Sequence, residues 1–126
     1  ATGRIDLLQL VLNPPRFFTD RDRQALSVMN ELTADALAGF ILSKILGLTL
    51  IQEYGIEFLE DCAFRVGDDK IKSSSFTHGL GSERRTWLRK GLQAADIRQT
   101  NAFRDPQLLW RLTPAAREWV ERLPYF

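Results

Sequence analysis

Apolar residues recur at three- to four-residue spacing in three windows of the chain, which predicts amphipathic helices. The longest window gives a helix from about 21 to 46. Leu26, Met29, Ala36 and Phe40 trace one stripe, widened by Leu32, Leu37 and Ile41. Thr19 or Asp20 can cap its start, with Asp22 in the first turn, and Gly47 supplies the stop. A second helix is predicted over 53–66. There Phe58, Leu59, Cys62 and Val66 form the apolar face, and Glu53, Glu57, Glu60 and Asp61 the polar one. The third opens at Ser82 as cap, with Glu83 suited to the positive end of the helix dipole. Leu88, Gly91, Leu92 and Ala95 share its apolar face, and Trp87 sits at the edge of that stripe. Arg84, Arg85, Arg89 and Lys90 lie mostly elsewhere around it.

Punctuation between these windows is clear. Residues 4–12 are a short apolar run, helix or strand, closed by Asn13-Pro14-Pro15. Phe17 and Phe18 begin a linker that packs on the body. Gly67-Asp68-Asp69 is a break, and Asp68 or Asp69 can cap a short helix through Ile71; three serines, 73 to 75, follow. Thr113-Pro114 is a helix start, continued to Arg122 and ended by Pro124. The tail carries Trp110, Leu112, Trp119, Val120, Leu123, Tyr125 and Phe126. It therefore either packs across the domain or docks into a partner, with Trp110, Trp119, Tyr125 and Phe126 as interface candidates.

The expected fold class is mainly α, one compact domain over 1–126, with a helical body at 19–103 and an extension at 104–126. The most apolar run, 36–51, falls short of the roughly 20 residues a membrane span needs. Lys44 and Gly47 also interrupt it, so it reads as a core helix entering a buried loop and no transmembrane segment is expected.

Composition adds little and excludes some classes. Apolar residues make up 44% and charged residues 26%, as in a globular chain. Net charge is +1, which gives no global pull toward nucleic acid. Residues 1–75 carry 8 basic and 11 acidic side chains, residues 76–126 carry 9 and 5. The single cysteine, Cys62, excludes an intramolecular disulfide and reads as a buried thiol on an apolar face. No secretory signal is legible in the opening ATGRIDLL, which lacks an initiator Met.

Three ordered motifs carry a resemblance. Glu31-Leu32-Thr33-Ala34-Asp35-Ala36-Leu37-Ala38-Gly39 comes first. Val66-Gly67-Asp68-Asp69 follows. The third is Ser75-Phe76-Thr77-His78-Gly79, continued by Arg84, Trp87, Gly91, Asp96 and Asn101-Ala102-Phe103. Together they resemble the C-terminal end of the bacterial neutral zinc metallopeptidases, which reads ELQADCFAG, IGDD, SFTHG and a closing C-(D/N)-T-F. The resemblance spans about residues 26 to 103. It implies that Glu31 stands where the family's Glu completes a zinc site. It also implies that Asp35, Asp68, Asp69, His78, Arg84, Trp87 and Asp96 are motif residues. The family's two motif cysteines fall on Ala36 and Thr100 here, which implies a bridge this chain does without and a reducing compartment.

The family's zinc-binding HExxH cannot exist in this chain, which has one histidine, His78. If Gln9 is set against the Gln after HExxH, the two His positions fall on Thr2 and Asp6 and the Glu position on Gly3. The reading is then a non-catalytic relative without metal or cofactor, with Glu31 as a vestige and His78 fixing a loop through carbonyls or carboxylates such as Asp68. Its role would be that of a binding, scaffold or accessory subunit for a protein partner. Two alternatives stand beside it. An Arg-rich helix, a hairpin at Asp105-Pro106 and a following helix would make a winged-helix DNA-binding domain. Alternatively, an HExxH outside this chain would make it part of an active zinc peptidase.

Overall fold

The computed structural model describes residues 10, 12–45, 55–67 and 78–116. Among these the fold is mainly helical, with no strand. The central element is α1, Asp20–Phe40. Thr19 caps it in a reciprocal arrangement. The Asp22 N–H donates to the Thr19 hydroxyl at 3.1 Å, and the Thr19 N–H donates to the Asp22 carboxylate at 2.9 Å. Leu26, Val28, Met29, Leu32 and Ala36 are buried, so the predicted stripe is the core. Leu37 stays exposed, and Phe40 and Ile41 are only half-buried. After Phe40 the helix continues as a π turn, Ile41–Ile45. Apolar spacing reports which face is buried, not the hydrogen-bond pattern, so it does not distinguish this wider turn from α. The expected stop at Gly47 lies outside the described residues. By length and composition Asp20–Lys44 is one helix long and apolar enough to cross a membrane. The 36–51 run taken alone does not show this.

Against α1 lies α3, Gly81–Gln93. A Cβ on Gly91 would strike the Ala36 carbonyl, and one on Gly39 would strike the Leu88 carbonyl. The two backbones therefore touch, and only glycines permit it. This crossing fixes which residues of the two helices face each other. The helix opens two residues before the predicted site. Leu80 is the cap, with no side-chain bond, and its carbonyl accepts from the Arg84 N–H at 3.0 Å. Ser82 is thus inside the helix and does not cap it. Gly81, packed against the Phe64 carbonyl, sets the start by tertiary contact. Ala95 lies past the helix end and is exposed, because the helix closes at Gln93 and Ala94 turns inward in its place.

Between them in sequence runs α2, Ile56–Arg65, within the predicted window. Of its predicted apolar face only Leu59 packs inward. Phe58 and Val66 are 53% and 57% exposed, whereas Glu60 and Ala63 are buried. Cys62 is exposed too, not a buried thiol. The cause is Glu60, drawn inward by Arg89, which turns the 60/63 face toward α3. Leu59, Ala63, Leu88, Leu92 and Leu42 then make a small second cluster.

The chain returns through two short 3-10 turns, Ile97–Thr100 and Ala102–Arg104, into α4, Pro106–Leu112. Asp105 caps α4, accepting from the Leu108 N–H at 3.2 Å, with Pro106 at its first position. No hairpin forms at Asp105-Pro106. The same two residues that suit a turn also suit a cap and a first helical position, and here they start a helix. Leu108 and Leu109 join Leu26, Met29, Trp87 and Phe103 in the main core. The described part of the extension therefore packs across the domain. Thr113 is fully buried and its hydroxyl has no hydrogen-bond partner among the described residues, so it does not cap; a 3-10 turn, Pro114–Ala116, stands at the expected helix start, and the continuation to Arg122 lies outside the described residues. Asp68, Asp69, the serine run, Trp119, Tyr125 and Phe126 lie outside the described residues.

Candidate functional site

Four of the motif residues meet at one place. Glu31 and Asp35, four apart on α1, share a face. Arg84, in the first turns of α3, reaches that face. Its Nε donates to Asp35 Oδ2 at 2.6 Å and its Nη2 to Asp35 Oδ1 at 2.8 Å. Such a fork is the strong form of an Arg–carboxylate pair. Both side chains are nearly buried, 11% and 12% exposed. The same guanidinium donates to the Val66 carbonyl at 3.2 Å, holding the end of α2. It also stands 3.5 Å from Glu31 Oε2.

His78 closes the group from the other side. Its Nδ1 is 3.4 Å from Glu31 Oε1. Gly79 places it there. Its φ of +84° favours glycine, and a Cβ there would press on Val28 of α1. Glu31 therefore sits between an arginine and the one histidine, 35% exposed beside a His78 that is 55% exposed. The carboxylate beside His78 is that of Glu31; Asp68, the expected partner, is not among the described residues. Thr33 ties in the closing motif, since the Ala102 N–H donates to its hydroxyl at 3.2 Å.

The remaining motif residues stand apart. Trp87 is 6% exposed and belongs to the main core. Asp96 caps the 3-10 turn that follows it, accepting from the Arg98 N–H at 2.8 Å. That N–H, then the Arg98 guanidinium, hold the Asp96 carboxyl below its ordinary range. Trp110, the described interface candidate, is 39% exposed on α4.

Two long-range ion pairs outside the motif residues also escaped the sequence reading. Arg89 grips Glu60 with two bonds of 2.7 Å. This hydrogen bonding holds the Glu60 carboxyl below its ordinary range, against the opposing effect of burial. Arg111 pairs with Glu83 at 3.0 Å. A polar residue on the nominal outer face of α2 gives no sign of burial, because its partner lies 29 residues away on another helix.

A catalytic zinc needs three protein donors and an open position. Here the Glu31 carboxylate and the His78 imidazole converge, both oxygens of the second carboxylate, Asp35, are taken by Arg84, and that guanidinium repels a metal cation. Among the described residues no group of three or more His, Cys, Asp or Glu could hold an ion. The described residues do not fit the metal.

Residues 9–103 match the family described as "Putative neutral zinc metallopeptidase". Two curated relatives share 29% identity over 93 residues, both "Uncharacterized protein YpfJ", from Escherichia coli K12 and Escherichia coli O6:H1. The match covers 68% of this chain and 32% of each relative, so the chain spans about a third of the length of the curated relatives it matches. No solved structure matches it.

Proposed function

This chain belongs to the neutral zinc metallopeptidase family, and from its residues we propose that it is a non-catalytic member acting as a binding, scaffold or accessory subunit. One observation carries the reading. Glu31, at the family's metal-ligand position, is held between Arg84 and the chain's one histidine, and this chain contains no HExxH to bring two further ligands. The fold's other motif residues support structure rather than chemistry. Asp35 and Arg84 lock α1 to α3, Trp87 fills the core, and Asp96 caps a turn. We read α1 as a core helix and not a membrane span, because its buried face is the centre of the main cluster. Incubating the purified chain with casein, with and without added zinc, tests the proposal. No cleavage is expected; zinc-dependent cleavage that disappears in Glu31→Ala overturns it.

A second reading has one observation in its favour. The curated relatives are about three times as long as the stretch matched here, and Glu31 and His78 are partly open to solvent. An HExxH helix from outside this chain would then complete a zinc peptidase at that opening. Adding the purified remainder of such a protein would restore zinc-dependent cleavage under this reading, and under the first it would not.

A further inference from the structure

We draw no further inference here: the strongest candidate, the exposed apolar face of α2 at Phe58, Cys62 and Val66, carries nothing because nothing in the structure shows what covers it.

Discussion

Arg84 grips Asp35 across 49 residues of sequence, with hydrogen bonds of 2.6 and 2.8 Å in a nearly buried fork. This pair joins the first and third motifs of the family in one contact. It also presents Arg84 to Glu31 and to the end of α2. Removing Arg84 leaves the nearly buried Asp35 charge without its fork, whereas Arg84 without Asp35 keeps Glu31 at 3.5 Å and the Val66 carbonyl. Arg84→Ala should cost about 3–5 kcal/mol in urea unfolding, and Asp35→Ala less. Arg84→Met combined with Asp35→Leu should cost clearly less than the two single changes added together. Additive losses would show that the two residues do not act as a pair.

The crossing of α1 and α3 depends on absent side chains. Gly91→Ala places a methyl group on the Ala36 carbonyl, a backbone atom that cannot swing away. A loss of about 3 kcal/mol or more is expected, at the upper end of overpacking costs, despite alanine's better helix propensity. Gly55, with φ of +79° and nothing near its Cβ position, is the control for conformational strain without a clash. Thermal melts of Gly91→Ala and Gly55→Ala should rank in that order.

Acid should weaken the fold partly through Glu60. Its carboxyl is held below the ordinary value by hydrogen bonds from Arg89. A depressed folded-state value contributes stability that is fully present above the unfolded carboxylate value, about 4.3. That contribution is lost as pH falls through the folded value. Glu60→Gln should therefore lower stability at pH 7 and flatten its decline below about pH 4.3. Urea midpoints measured from pH 7 to pH 3 on both proteins check this. Parallel curves would mean that Glu60 does not contribute.

Much of the body was legible because local signals agreed with the fold. Thr19 and Asp22 spell a cap, and Leu26, Met29, Leu32 and Ala36 spell a buried stripe. The cluster of Glu31, Asp35, His78 and Arg84 was legible as motif residues, though not as one place, since the loop that sets His78 beside Glu31 is a tertiary matter. Errors fell where a distant partner overruled the local pattern. Glu60 turned inward for Arg89, exposing Phe58, Val66 and Cys62. Gly81 opened α3 against Phe64, leaving Ser82 without a capping role. Asp105-Pro106 fits both a turn and a helix start, and packing of Leu108 and Leu109 on the core selects the helix. That helix removes the hairpin on which the winged-helix alternative rested.

The central claim is that Glu31 no longer belongs to a metal site in this chain. Elemental analysis tests it most directly: incubate the purified protein with excess zinc, dialyse, and measure zinc per chain. The account predicts far less than stoichiometric zinc, unchanged by Glu31→Ala. About one zinc per chain, lost in Glu31→Ala, would contradict it.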